Sequence, residues 1–296
     1  MTGPGPGGRV LGGRELAAAL RSQAADLTAD LAAAGIAVRL TIVTATDDQA
    51  SDWYVRSLVA AAGKIGAVGE VTGLSPVAGR ARLEAALAAL SADPAVHGVV
   101  LQTPLPAGLR AAELALAIDP AKDVDGANPV SLGRLTAGLP AFAPATAQAV
   151  IRLLDHHDVT LAGQRVVIVG RSTVVGKPLA QLMLARDATV TICHSRTRDL
   201  PSVTRQADIL VAAAGRAGLI GAGHVQPGAV VVDVGTNPAA GGGLTGDVDA
   251  AAVGPVAGAL SPVPGGVGPV TTAQLLLSTV LAARSRLSGQ FPGQAP

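Results

Sequence analysis

The chain has 296 residues and a mass of 29.0 kDa, which is enough for one large domain or two ordinary domains with a sizeable core. Its net charge of +1 argues against a broad nucleic-acid-binding surface, and its single cysteine, Cys193, excludes an internal disulfide and a cysteine-rich metal site. No apolar stretch reaches transmembrane length and no signal-peptide segment is evident, so we expect a soluble cytoplasmic protein that does not contact membranes.

The first half of the chain alternates helix-like and strand-like segments. Leucines at positions 16, 20, 27 and 31 fall on one face of a long predicted helix over residues 14–35. A second helix is predicted over 53–64, with Ser51 or Asp52 as its N-cap. The other predicted elements are strands over 38–43, 68–72 and 96–101 and helices over 80–91 and 111–118. This alternation predicts an α/β domain with a mainly parallel sheet.

The second half repeats the alternation after a connecting helix over 145–156. Strands are predicted from about Val166 and over 189–193, 208–213 and 229–234, and a last helix over 271–288 is expected to pack back on the first domain. We therefore assign residues 1–145 plus 271–296 to a first domain and 146–270 to a second. The tails 1–8 and 289–296 are expected to be loose.

A small-residue turn follows the β-branched run 166–169 and precedes a helix-forming segment over 178–185. Gly170 permits a tight turn, and Gly176 lets the next helix pack closely with its free N–H groups facing a phosphate. Ser172 replaces the second glycine of the usual dinucleotide-binding pattern, and the third glycine comes one residue late. Glycine spacing alone therefore leaves both nucleotide binding and an ordinary βα turn open.

Ligand groups in a Rossmann-like domain collect at the carboxyl ends of the strands. The predicted second strand, 189–193, is followed by His194, Ser195 and Arg196 rather than by the acidic residue that commonly holds the ribose of NAD. Hydroxyl and guanidinium groups suit a 2′-phosphate, so NADP is favoured over NAD, although Arg196 as a solvated surface charge is an alternative. The candidate cofactor-binding residues in this half are Gly170, Arg171, Ser172, Val174, Gly176, Ser195, Arg196, Ala214, Gly215 and Thr236.

Eight short motifs occur in one order along nearly the whole chain. They cover residues 51–55, 99–106, 122–126, 170–178, 191–197, 233–235, 246–248 and 262–271. In this order they resemble the methylenetetrahydrofolate dehydrogenase/cyclohydrolase family, the bifunctional FolD proteins. The resemblance implies an N-terminal α/β folate-binding catalytic domain and a Rossmann-like NADP-binding domain with a cleft between them, in a homodimer. It also implies oxidation of 5,10-methylenetetrahydrofolate by hydride transfer to NADP, followed by hydrolysis of the methenyl product to 10-formyltetrahydrofolate.

The resemblance assigns roles to three residues of the first half. Asp125 would grip the pterin, because a carboxylate can accept two parallel N–H bonds from the ring edge. Tyr54, the only tyrosine, would stack on or beside the folate, and Gln102 would support a catalytic lysine. The alternatives are a loop-capping aspartate, a core aromatic residue on a helix and a polar residue that bonds backbone at a strand end.

The resemblance also extends to the second half and its borders. A loop that includes Pro264, Gly265 and Gly266 would line the folate site, and Thr271 would lie near the nicotinamide. Thr146 matches a cofactor-contacting threonine, although the residues on either side of it depart from the family pattern.

The catalytic lysine implied by the resemblance is missing. It would lie four residues after Tyr54, one helical turn on, where this chain has Leu58. Arg56 points to the opposite side of the helix and is a poor general base, and Lys64 is nearly three turns away at about 3.6 residues per turn. We therefore predict a dehydrogenase with weak or absent cyclohydrolase activity.

Two other functions remain open at this point. The segment 44–49, just before the second helix, departs from the family pattern, which keeps open a specialised paralogue that oxidises a modified folate or another one-carbon adduct. The other alternative is a non-catalytic protein that binds folate or NADP. Gln102 and Asp125 are present and the motif over 170–178 is complete, which weighs against this last interpretation.

Overall fold

The structure is a computed structural model that describes residues 8–239 and 241–288. The described chain divides into two compact units. Residues 8–17 and Thr146–Thr271 form the six-stranded unit, and Ala18–Ala145 with 272–288 form the three-stranded unit. Apart from Gly8, the tails predicted to be loose lie outside the described residues.

The elements alternate along the chain much as the sequence pattern indicates. The strands are β1 (Arg9–Val10), β2 (Arg39–Thr44), β3 (Val68–Gly73), β4 (Gly98–Leu101), β5 (Arg165–Val169), β6 (Thr189–Cys193), β7 (Ile209–Ala212), β8 (Val230–Asp233), β9 (Asn237–Pro238), β10 (Leu244–Thr245) and β11 (Ala259–Leu260). The helices are α1 (Arg14–Ala33), α2 (Gln49–Lys64), α3 (Arg80–Ala92), α4 (Ala111–Leu114), α5 (Pro129–Thr136), α6 (Ala145–His156), α7 (Gly176–Leu184), α8 (Leu200–Thr204), α9 (Ala250–Val253) and α10 (Val267–Ser288). Short 3-10 turns occupy Ala115–Ala117 and Ala222–His224.

The three-stranded unit is built on a parallel sheet in the order β3-β2-β4. The central strand β2 is almost wholly buried, as expected for a parallel strand covered on both faces. Helix α2 begins at Gln49 because the Asp48 carboxylate accepts the Ser51 N–H at 2.8 Å. The N-cap predicted at Ser51 or Asp52 was therefore wrong by one turn.

The six-stranded unit carries an entirely parallel sheet in the order β1-β11-β8-β7-β5-β6. Strands β5, β7 and β8 lie inside the sheet, and all of their apolar residues except the partly buried Val230 are buried because helices cover such sheets on both faces. All six carboxyl ends therefore lie along one edge, where the connecting loops gather.

The N-terminal boundary of the first predicted domain was wrong. Residues 9–10 pair with β11, and the Gly13 N–H donates to the Gly265 carbonyl at 2.8 Å, so residues 8–17 belong to the six-stranded unit. The sequence did not predict this assignment because main-chain hydrogen bonds hold residues 9–10 on the sheet, and a strand of two residues is too short to show side-chain periodicity.

Within residues 8–239 and 241–288, no helix has both the length and the apolar character needed to cross a bilayer.

Candidate functional site

The turn between β5 and α7 can be built only with glycine at two positions. Gly170 has a φ of 144°, and a Cβ atom there would collide with the Ala213 carbonyl group. A Cβ atom on Gly176 would collide with the Gly170 carbonyl oxygen. The strand end and the helix start are therefore pressed together, as in a phosphate-binding turn.

The residues between these glycines leave N–H groups unused. The Ser172 hydroxyl accepts the Val175 N–H at 3.0 Å and shapes the turn. Among the described residues, the N–H groups of Thr173 and Val174 have no protein acceptor. Unpaired N–H groups just before a helix suit an anion.

A cavity of about 430 Å³ opens beside this turn at the carboxyl ends of β5, β6 and β7. Five predicted cofactor residues line it: Gly170, Arg171, Ser172, Ser195 and Ala214. The remaining lining residues, which are outside the predicted set, are Val169, His194, Thr197, Leu200, Ala213, Arg216 and Leu219. No lining residue is acidic, and two are arginines, so the cavity suits an anionic ligand.

The other predicted cofactor residues do not line this cavity. Arg196 is exposed, and its backbone N–H donates to His194 Nδ1 at 3.1 Å in the turn after β6. Gly176 contributes through packing, and the Thr271 hydroxyl donates to the Val267 carbonyl within α10 at 3.3 Å. The rest of this group consists of Thr146, half-buried in the first turn of α6, and the exposed Val174, Gly215 and Thr236.

The loop after β7 is held by a buried carboxylate, Asp247, for which no role was predicted from the sequence. Asp247 accepts the N–H groups of Ala214, Gly215 and Arg216 at 2.6, 2.9 and 2.8 Å. It also accepts the Asn237 side-chain amide at 2.9 Å. The N–H groups of Ala214 and Gly215 are therefore occupied, so any ligand contact there uses other atoms.

A second carboxylate, Asp233, supports the first. It accepts the Gly235 and Asp247 N–H groups at 2.9 Å each and the Val248 N–H at 3.0 Å. Burial raises the pKa of Asp233 to about 6, against the lowering effect of these hydrogen bonds. A Cβ atom on Gly246 would collide with the Asp233 carboxylate, which explains the glycine in this motif.

Tyr54 and Asp125 form a second cluster, in the three-stranded unit. Burial raises the pKa of Tyr54 to about 12, the negative charge of Asp125 adds to the increase, and a hydrogen bond with the Thr272 side chain opposes it. The phenol is therefore protonated at neutral pH. The structure thus brings two predicted folate-binding residues together and adds Thr272, which was not predicted.

The loop that carries Asp125 is fixed by its neighbours. Burial, followed by the charge of Asp123, raises the pKa of Asp125 to about 7. The Asp123 carboxylate is itself fully buried and accepts the Ala127 N–H at 2.9 Å, the Asn128 N–H at 2.9 Å and the Ser131 hydroxyl at 2.8 Å. Asp125 is therefore presented on a rigid loop and changes charge near neutral pH.

Gln102 does not join this cluster through a hydrogen bond in the described structure. Its side-chain N–H donates to the Thr103 carbonyl at 2.8 Å, and the Ser51 hydroxyl donates to the same oxygen at 2.9 Å. This matches the alternative of a strand-end polar residue that bonds backbone. Leu58 is completely buried on the face of α2 that also buries Ser51 and Val55.

The remaining predicted folate residues lie in the six-stranded unit. Gly265 has a φ of 111°, its carbonyl oxygen accepts the Gly13 N–H, and the Gly266 N–H donates to the Pro262 carbonyl at 2.8 Å. Pro264 is exposed at the tip of this loop. In the described part of the chain, no group of three or more His, Cys, Asp or Glu residues is arranged to hold a metal ion.

Both units match family models. The model described as "Tetrahydrofolate dehydrogenase/cyclohydrolase, catalytic domain" matches residues 11–125. The model described as "Tetrahydrofolate dehydrogenase/cyclohydrolase, NAD(P)-binding domain" matches residues 144–287. The two matches together span most of the chain.

Individual proteins agree with these matches. "Bifunctional protein FolD 1" of Saccharopolyspora erythraea is 58% identical over 276 residues, which cover 93% of this chain and 94% of that protein. The crystal structure of a bifunctional FolD enzyme from Campylobacter jejuni is 37% identical, with a TM-score of 0.91 over 94% of this chain and 99% of that chain. A Trypanosoma brucei FolD structure, complexed with NADP and an inhibitor, is 34% identical, with a TM-score of 0.90 over 95% and 99% of the two chains. This chain belongs to the tetrahydrofolate dehydrogenase/cyclohydrolase family.

Proposed function

We propose that the protein oxidises 5,10-methylenetetrahydrofolate to 5,10-methenyltetrahydrofolate with NADP as hydride acceptor. The observation that carries this proposal is that Tyr54 and Asp125, at the family's folate-binding positions, lie near enough for the Asp125 charge to raise the pKa of Tyr54, while the Tyr54 side chain is hydrogen-bonded to the Thr272 side chain. Relatives named as bifunctional FolD proteins support ordinary folate as the substrate rather than a modified one.

The cavity of the six-stranded unit fits NADP. The turn from Gly170 to Gly176 would receive the diphosphate, and Arg171 with Ser195 would face the 2′-phosphate, because no acidic side chain lines the cavity. The NADP in the Trypanosoma brucei relative supports this assignment. Bound NADP supplies the nicotinamide carbon that accepts the hydride.

The three-stranded unit would bind the pterin. The ionised Asp125 accepts two N–H groups of the pterin edge, whereas the protonated acid can accept fewer and presents an O–H group. Because its pKa lies at about 7, folate affinity should rise as the pH increases through neutrality. Tyr54 stays protonated and offers its ring face and hydroxyl for orienting the substrate.

Cyclohydrolase activity should be weak or absent because the site lacks an amine that can move a proton. Leu58 stands at the lysine position and is buried. Lys122 donates to the Asp93 carbonyl at 2.6 Å, away from this role, and Lys177 lies at the start of α7 in the other unit. With a pKa of about 12, the Tyr54 phenol stays protonated at neutral pH and therefore cannot accept a proton as a general base.

A two-substrate assay tests the function. Purified protein is mixed with NADP and 5,10-methylenetetrahydrofolate, and methenyl absorbance is followed together with NADPH formation. We expect absorbance that grows and then persists without decay to the formyl product. Turnover only with a modified folate would support a specialised paralogue, and NADP binding without any turnover would support a non-catalytic relative. Rapid decay of the methenyl signal would contradict the proposed loss of cyclohydrolase activity.

We further infer that the protein acts as a homodimer in the cytoplasm. Resemblance to a dimeric family supports the dimer, and the edge strand β3 exposes 40% of Val68 and 48% of Val71, which is apolar surface that a partner could cover. Light scattering at micromolar concentration tests the oligomeric state, and a monomer there would contradict it. Cell fractionation tests the location.

A further inference from the structure

The conformation of the loop after β7 is held by hydrogen bonds to the Asp247 carboxylate. Three consecutive N–H groups, those of Ala214, Gly215 and Arg216, point at this one carboxylate. Asp247 is completely buried, so its charge is compensated by hydrogen bonds rather than by water. Because the next segment also bonds back through the Ile220 N–H to the Asp247 carbonyl at 2.9 Å, the loop is closed around this residue.

Only a carboxylate satisfies this arrangement. The Oδ2 atom accepts the Ala214 and Gly215 N–H groups, and the Oδ1 atom accepts those of Arg216 and the Asn237 side chain. An asparagine has one acceptor oxygen and would direct its own N–H₂ group at two donors. The isosteric change from Asp to Asn would therefore release part of the loop without removing volume.

The loop places one cation beside the cofactor cavity. Arg216 lines the cavity together with Arg171, whereas Arg196 does not. The Arg216 guanidinium has no ion pair within the described residues, so its charge is available to a ligand. The Arg216 N–H, in contrast, is fixed to Asp247 at 2.8 Å.

We propose that Arg216 binds the 2′-phosphate of NADP and that Asp247 is the positioning residue that directs Arg216 to this phosphate. This inference rests on the proposed NADP site. Arg216 would act beside Arg171, because a doubly charged phosphate can take more than one guanidinium. The chemistry is specific to NADP, since NAD carries a hydroxyl at the same place.

Calorimetric titration with NADP and with NAD, without folate, tests both parts. Arg216→Ala should weaken NADP binding about tenfold or more and leave NAD binding unchanged. Asp247→Asn should weaken NADP binding by a similar factor. The double variant should bind NADP no more weakly than the weaker single variant, since both changes remove one interaction. Asp249→Asn is the matched control, because the Asp249 carboxylate accepts the Ala252 N–H and no N–H of the loop.

Several results would overturn the inference. If Arg216→Ala weakened NADP and NAD binding equally, the assignment of Arg216 to the 2′-phosphate would be contradicted. The positioning role of Asp247 would be contradicted if Asp247→Asn bound NADP as tightly as Asp249→Asn does. It would also be contradicted if the losses in NADP affinity were additive in the double variant. If Asp247→Asn does not fold, amide exchange in the wild-type protein decides, since unprotected N–H groups at residues 214–216 would contradict the clamp. Folate turnover is measured separately, so its absence alongside tight NADP binding would refute only the proposed dehydrogenase.

Discussion

Replacing Leu58 with lysine would restore an amine one turn beyond Tyr54. Leu58 is completely buried on the core-facing side of α2, so the new side chain would start from an apolar position. Burial lowers the pKa of a lysine because it disfavours the charged form. A lysine whose pKa approaches the working pH is a better general base than an exposed one.

The cost to stability follows from the same burial. Losing the leucine packing and enclosing an amine should reduce the free energy of unfolding by about 2–4 kcal/mol. This is a large part of the total, which is about 5–15 kcal/mol, but the variant should remain folded at room temperature. The folded-state pKa of the new lysine lies below its unfolded value, so the unfolded chain binds more protons. The loss should therefore be greatest at low pH and should shrink as the pH rises.

The catalytic gain is measured as hydrolysis of 5,10-methenyltetrahydrofolate to the formyl product. A well-placed proton-transfer group contributes about 10²–10⁴-fold, and for an unoptimised pocket we expect at least about tenfold over wild type. Leu58→Met is the matched control, since it has similar length and no amine. The reasoning is refuted if Leu58→Lys is folded, keeps dehydrogenase activity and hydrolyses no faster than Leu58→Met.

Three further changes test the rest of the site. Asp125→Asn should raise the KM for folate about tenfold and abolish the rise in kcat/KM through pH 7, which a pH–rate profile measures. The same variant should be more stable than wild type at pH 8 by about 1–2 kcal/mol in urea unfolding, because the raised carboxyl pKa makes ionisation in the folded state unfavourable, and the difference should vanish near pH 4. Gly176→Ala should abolish the NADP-induced rise in Tm through its collision with Gly170, whereas Gly223→Ala, with no atom within 4 Å of the new Cβ, should keep it. Tyr54→Phe should change the folate KM less than about threefold if the ring face does the binding, and a larger loss would assign the role to the hydroxyl.

Segments with strong local patterns were predictable. The predicted bounds of β6 and α6, 189–193 and 145–156, are confirmed, because a β-branched run and an amphipathic helix each carry their own periodicity. Helix α5 was missed because Pro129 and Gly133 suggest a loop, although proline is well suited to a first turn after the Asn128 cap. Helix α10 starts at Val267 rather than 271, inside a segment whose glycines and prolines suggested an irregular loop.

The residues of the candidate site were predictable where a sequence motif contains the residues that would contact a ligand. The turn at Gly170 and the residues Tyr54 and Asp125 were predicted from motifs. The structure adds the physical reasons, which are the lack of space for a Cβ atom at Gly170 and the effect of the Asp125 charge on the pKa of Tyr54. Arg216 and Asp247 were not predicted as a pair, since their contact depends on how two loops meet. Arg216 could have been suspected, because it follows directly after Ala214 and Gly215 at a strand end.

The pairing of residues 9–10 with β11 has a consequence for how the chain can be divided. Arg9 lies opposite Ala259, so a segment near the start of the chain completes the edge of a sheet whose other strands all lie between Arg165 and Leu260. A fragment covering only 146–271 would leave β11 with an unpaired edge, which invites association with other chains. The three-stranded unit is equally discontinuous, because it takes 18–145 and the distal part of α10. Neither unit corresponds to a single continuous stretch of the chain, so an uninterrupted fragment cannot contain either unit whole without including part of the other.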